Sequence, residues 1–178
     1  MEKILNVIKS EKKIKELASV FEKRNSLQAV QAIKNLREEE PFEGAIAVLS
    51  ASFDAWNDMP VRKTIEDFFN DLKDPSARPE IIAEIRKPFS QDTIGMLVAS
   101  CWQSGLDYSD YAEDMVSIFI SGDYTTSIES MTVLGESASS CSRERKDELI
   151  ATIRNSATAW TNEKKSLTQE LISILEEE

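Results

Sequence analysis

The stretch Ile94-Gly95-Met96-Leu97-Val98-Ala99-Ser100-Cys101-Trp102 constrains the fold more than any other part of the chain. It is long enough for a helix and apolar on every side, so it cannot lie on water with one face exposed and must be covered by neighbours all round. Two shorter segments flank it, Ile46-Ala47-Val48-Leu49-Ser50-Ala51-Ser52 and Met131-Thr132-Val133-Leu134-Gly135-Glu136-Ser137. With Leu49, Leu97 and Leu134 aligned, all three read apolar, any, apolar, Leu, any, any, Ser. That places the central segment as the middle rung of a stack.

The surrounding periodicity is helical throughout. Ile4, Val7, Ile8, Ile14, Leu17, Ala18 and Phe21 share one face of residues 2 to 24, interrupted near Ser10 and Glu11, which gives one long helix or two short ones. Asn25-Ser26 offers a cap to a second helix carrying Leu27, Val30, Ile33 and Leu36, and Pro41 closes it. Phe42, Ala45, Ile46, Leu49, Phe53 and Trp56 then fall on one helix face, and Val61, Ile65, Phe68, Phe69 and Leu72 on that of a partner. Pro79 opens a short helix through Ile81, Ile82 and Ile85, read as an insertion between repeats. The central helix starts at Gln91-Asp92 and is followed by one carrying Tyr111, Ala112, Met115, Val116, Phe119 and Ile120. Ile128, Met131, Leu134 and Ala138 point inward on the next; Leu149, Ile150, Ile153, Ala157 and Trp160 do so on the one after. Thr161 or Asn162 caps a last helix with Leu167, Leu171, Ile172, Ile174 and Leu175, and Glu176-Glu177-Glu178 forms a frayed tail. With 178 residues, only 5 Gly and 5 Pro, and 41% hydrophobic side chains, the expectation is a single all-α domain of about eight to nine helices.

A repeat runs through this pattern. The shared leucines are spaced by 48 and then 37 residues, and the short helix around Ile81 accounts for the difference. Glu66-Asp67-Phe68-Phe69, Glu113-Asp114-Met115-Val116 and Asp147-Glu148-Leu149-Ile150 each read acid, acid, apolar, apolar on the second helices. A two-helix repeat of this length resembles the HEAT and armadillo-like α-solenoid families. The resemblance covers residues 42 to 160 and departs from the HEAT pattern in lacking a proline in the three aligned first helices and a basic residue in the second. It implies a right-handed stack of antiparallel helical hairpins. Residues 1–41 are then N-terminal capping helices, 42–75, 91–123 and 124–160 the repeats, 76–90 the inserted helix and 161–178 a C-terminal cap. A non-repetitive orthogonal bundle satisfies most of the same pattern.

The residue inventory argues against most chemistry. There is no His, which removes the commonest general base and metal ligand, and no glycine-rich phosphate loop. Asp107, Asp110, Glu113 and Asp114 cluster at a helix start, where acids complement the helix dipole, and their spacing is not that of a calcium loop. No catalytic residue, cofactor or metal site is assigned. A net charge of −11 disfavours nucleic acid and anionic membranes as partners. Cys101 and Cys141 do not read as a disulfide framework, and Cys101 is expected in the core. The early charges of Met1-Glu2-Lys3 break any secretory signal and no apolar run reaches a membrane span, so a cytoplasmic location is expected.

What remains is a non-catalytic protein–protein interaction or scaffold module. In α-solenoids of the HEAT type the second helices line the binding groove, which would set Glu66, Asp67, Glu113, Asp114, Asp147 and Glu148 as a ladder of acids for a basic protein or peptide. The same acids also serve as solvated, dipole-favoured residues in the first halves of their helices. Asp110 belongs to this acidic surface, and Tyr108 and Tyr111 stand at a helix edge as aromatic anchors, along with Tyr124, Trp56 and Trp102 near other turns. Homo-oligomerisation through the amphipathic N-terminal helix is the alternative.

Overall fold

The computed structural model describes residues 2–39, 41–156 and 162–177, and side chains from residue 9 onward except that of Asn162. The described residues form α1 (Glu2–Glu22), α2 (Ser26–Leu36), α3 (Ala45–Ala55), α4 (Met59–Asn70), α5 (Ala77–Ile85), α6 (Gln91–Gln103), α7 (Ala112–Ser121), α8 (Tyr124–Ser137), α9 (Arg143–Ser156) and α10 (Asn162–Glu176). Short 3-10 turns at Ser109–Tyr111 and Ala138–Ser140 precede α7 and follow α8. Among these residues there is no strand, as the periodicity predicts, and no helix is long and apolar enough to cross a membrane. The expected eight to nine helices are corrected to ten among the described residues, since the segment after Ser76 is a full nine-residue helix beside the others; α1 is one helix, unbroken past Ser10 and Glu11. Ala157, Trp160, Thr161 and Glu178, and the side chains of Ile4, Val7 and Ile8, lie outside the described residues.

Polar side chains cap three of the helix starts, the first at the Asn25 that the sequence offers. Asn25 accepts from the Gln28 N–H at 3.0 Å, Asp58 from Val61 N–H at 3.1 Å and Asp123 from Thr126 N–H at 2.8 Å, each filling one of the donors a helix leaves open at its first turn. At the start of α6, Asp54 accepts from the Ser90 N–H, the Ser90 hydroxyl and the Thr93 hydroxyl. Those hydrogen bonds hold the Asp54 carboxyl below the usual carboxylate range.

The chain divides into two compact units, Met1–Thr93 and Ile94–Glu178, and the division falls inside α6. In the first unit α1 packs on α2 and α3, α2 on α4, and α3 on both α4 and α5. Its core is Leu17, Phe21, Ile33, Leu49, Phe53, Val61, Ile65, Phe69 and Ile81, all buried. Trp56 is buried edge-on against Phe21, 5.7 Å between ring centroids, so it serves the core rather than a partner. Arg62 ties α4 to the end of α3: its guanidinium lies 3.7 Å over the Phe53 ring, donates to the Phe53 and Trp56 carbonyls at 2.7 and 3.2 Å, and pairs with Asp92.

In the second unit α7 packs on α8 and α9, α8 on α10, and α9 on α10. Met115, Val116, Phe119, Leu134, Leu149, Ile153 and Leu171 are buried there, as are Met96, Leu97, Val98 and Cys101 of α6. The face of α8 that meets α7 is lined by serines. Ser130 Oγ donates to the Met115 carbonyl at 2.6 Å, and Ser127 Oγ shares its proton between the Asp123 carbonyl at 2.7 Å and the Phe119 carbonyl at 2.9 Å, which satisfies both hydroxyls and brings the two helices close. Ile128 and Met131, expected inward, are half-buried. Lys164 of α10 donates to the Ile120 and Gly122 carbonyls at 2.9 and 2.7 Å, capping the end of α7; its burial there pushes the ammonium down from its ordinary value.

Candidate functional site

The three acid pairs are matched by cations of their own unit. Lys63 lies 3.4 Å from Glu66 and 3.0 Å from Asp67 across successive turns of α4. Arg145 of α9 holds Glu113 of α7 in a two-pronged pair at 3.0 and 2.6 Å and reaches the Asp110 carbonyl at 3.1 Å. These hydrogen bonds draw the Glu113 carboxyl below its ordinary value. Asp147 pairs with Arg143 one turn back, at 3.1 Å, beside an exposed Glu148. Glu113 and Asp147 thus sit on packed helices that Arg145 joins, while Asp114 is half-buried on α7. One cation stands against each pair of acids and lowers the negative charge the pair offers a basic partner.

The aromatic anchors divide. Tyr108 is fully buried, with its ring 6.2 Å from that of the half-buried Tyr111, so it belongs to the core and not to a surface. Trp102 is 38% exposed and its indole N–H donates to Glu129 at 2.7 Å; Tyr124 is exposed. Cys101 and Cys141 are both free thiols, and burial pushes that of Cys101 up to about 12, which keeps it protonated and inert.

A concave site lies elsewhere, in the first unit, where sequence periodicity assigned only core. A cleft of 560 Å³ opens where the C-terminal ends of α2 and α4 meet the N-terminal ends of α3 and α5. Leu36, Phe42, Ile46, Phe68, Leu72 and Ala83 supply its apolar walls, and Glu43, Asp74 and Glu80 its charges. Phe42, Phe68, Leu36 and Leu72 are half-buried because they face this opening. Phe68 is braced edge-on by Phe69, 5.9 Å between centroids. Lys13 lies 5.0 Å over the Phe42 ring and is ion-paired to Glu39 at 2.7 Å.

Glu80 is the held group of the cleft. No side chain of its own segment caps α3, whose N-cap is Gly44; the Gly44 N–H instead donates to Glu80 Oε2 at 3.0 Å. Burial raises the Glu80 carboxyl above its ordinary value, the Gly44 hydrogen bond opposes this, and the neighbouring Glu43 and Glu84 add to the rise. Glu84, also buried, has its charge met by Lys87 at 2.6 and 2.7 Å. Gly44 makes the arrangement possible with φ +94°, a left-handed conformation that side chains rarely adopt. Gly44→Ala is expected to cost about 1–3 kcal/mol, mainly in backbone strain, since the new Cβ would lie 2.6 Å from the movable end of Ile14. A shift of the urea midpoint measures it; an unchanged midpoint would mean the turn adopts another conformation.

Among the described residues no group of three or more His, Cys, Asp or Glu is placed to hold a metal ion. Comparison with protein-family models, with curated proteins and with solved structures returns no match.

Proposed function

We propose that this chain is a non-catalytic protein-binding module of the helical-repeat type, and that it captures a partner protein or peptide through the cleft between α2, α3, α4 and α5. The observation that carries the reading is the cleft itself: 560 Å³ of concave, mostly apolar surface with a few carboxylates, the composition of a binding site. The α-solenoid assignment draws support from the packing within each unit. In the first, α1, α3 and α5 form one row and α2 and α4 a second; in the second, α7 and α9, and α8 and α10, repeat the arrangement. Helices that contact the next-but-one helix in two rows are what a two-helix repeat produces.

Ala83 lines the cleft yet is exposed on α5, so Ala83→Trp fills the site without disturbing the core. A random short-peptide library displayed on phage and panned against the intact chain is expected to yield sequences retained by the native protein and not by Ala83→Trp. Equal retention by both would remove the cleft as the binding site.

Homo-oligomerisation is favoured by a different observation. Leu27 and Met59 are 83% and 73% exposed at the N-terminal ends of α2 and α4, whose preceding or first residues are joined by the Ser26–Asp58 hydrogen bond at 2.8 Å. The face of α1 bearing Leu17 and Phe21 is spent on its own unit, so a self-contact would use this pair instead. Light scattering on Leu27→Lys/Met59→Lys beside the native chain decides: a native monomer eliminates the reading.

A further inference from the structure

We propose that the cleft recognises a peptide segment that inserts bulky apolar side chains between Phe42, Phe68 and Leu72 and sets a lysine or arginine against Glu43 and Glu80. The inference rests on the peptide-binding reading above and adds the chemistry of the ligand.

Three features of the site select that chemistry. The walls are apolar and aromatic, and the volume of 560 Å³ accommodates about two or three bulky side chains. The cleft is open to solvent, so it suits side chains delivered by a chain whose backbone stays outside better than it suits a fully enclosed small molecule. Its charged lining residues are Glu43, Asp74 and Glu80, all acids, in a chain of net charge −11. An acidic peptide would meet repulsion from each of them, whereas a cation offsets the mutual repulsion of Glu43 and Glu80.

Glu80 is also oriented in advance. The Gly44 N–H fixes Oε2 at 3.0 Å, so little side-chain freedom is lost when a cation arrives. The groups facing Glu80 are Glu43 from the turn before α3, Glu84 from its own helix with Lys87 beside it, and the Gly44 N–H. Burial holds its carboxyl above the ordinary value, and a bound cation favours the charged form. Binding therefore weakens on acidification at a higher pH than an ordinary carboxylate would dictate.

The test uses the same phage library on the intact chain, followed by fluorescence anisotropy of the enriched peptides, synthesised with a dye. Enriched sequences are expected to combine two bulky apolar residues with a Lys or Arg, and Glu80→Gln is expected to weaken them about tenfold at neutral pH. The amide oxygen of Gln still accepts from Gly44, so this variant keeps the α3 cap; Glu43→Gln, at an exposed position, reports the same charge should Glu80→Gln fail to fold. Replacing the basic residue of the peptide by norleucine should cost at least as much as Glu80→Gln, and Glu80→Gln should cause no further loss against the norleucine peptide. Enrichment of neutral or acidic peptides, or affinity unmoved by loss of either glutamate, overturns the proposal while leaving a peptide-binding cleft. Absence of any peptide retained over Ala83→Trp overturns both.

Discussion

Phe53→Ala is expected to destabilise the first unit by about 3–5 kcal/mol, the range for emptying a buried aromatic site. That is a large fraction of the roughly 5–15 kcal/mol by which a domain is stable. The ring is 1% exposed, so nearly all of its burial is lost, and the cavity opens beneath the Arg62 guanidinium stacked on it. Arg62 would remain tied to the Phe53 and Trp56 carbonyls and to Asp92, which prevents it from following the vacated space. The cost should therefore lie toward the upper part of the range. Urea unfolding should show a lowered midpoint with an unchanged slope, and Phe53→Leu should cost less because it fills part of the volume. A Phe53→Ala/Arg62→Met double variant less destabilised than the sum of the two single changes would measure the stacking. A loss under about 1 kcal/mol for Phe53→Ala would mean that the Phe53 site is not tightly packed.

The helices were legible in the sequence because most carry a one-faced apolar stripe and some a polar cap, as α2 does behind Asn25. Leu49, Leu97 and Leu134, aligned by their surroundings, are all buried, and so are the serines three residues on, Ser52, Ser100 and Ser137. Periodicity failed in a consistent way at the cleft. Phe42, Phe68 and Leu72 obey the core pattern of α3 and α4, but a stripe cannot report whether a neighbouring helix covers it to the end; here α5 leaves the last turn of α4 open. Glu80 gave no signal at all, since its role depends on the left-handed Gly44 thirty-six residues earlier in the chain. The acid pairs were visible as a pattern, yet their cations lie at helical offsets or on a helix further along the chain, as with Arg145 of α9 and Glu113 of α7. The pattern therefore overstated the charge available to a partner. Tyr108 illustrates the converse: a tyrosine beside a turn looks like a surface anchor, and only the packing reveals that it is enclosed.

Ser130→Leu is expected to cost the second unit about 2–4 kcal/mol, more than truncating Ile128 or Met131, the two half-buried apolar residues that periodicity assigns to the inner face of α8. Overpacking a tight contact costs about 1–3 kcal/mol, and the hydrogen bond adds roughly 1 kcal/mol. Ser130 is fully buried and gives its hydroxyl to the Met115 carbonyl at 2.6 Å, so there is no room between α7 and α8 for an isobutyl group. Ser127, one turn earlier, is fully buried 2.9 Å from the Phe119 carbonyl and resists a rotation of α8 away from the clash. Ser130→Ala keeps the close approach and should cost only about 1 kcal/mol, because a carbonyl has a second lone pair with which to stay satisfied. Met131→Ala, at a half-buried position, should fall below Ser130→Leu. The ordering of the three midpoints is the measurement. If Met131→Ala proves the costliest and Ser130→Leu nearly silent, then the apolar stripe of α8 faces α7 after all, and the serine-lined contact is wrong. If the order is as expected, the small hydroxyl residues set the spacing of the two helices, and the polar reading that a serine-rich helix invites gives way to one in which its hydroxyls are internal hydrogen-bond donors.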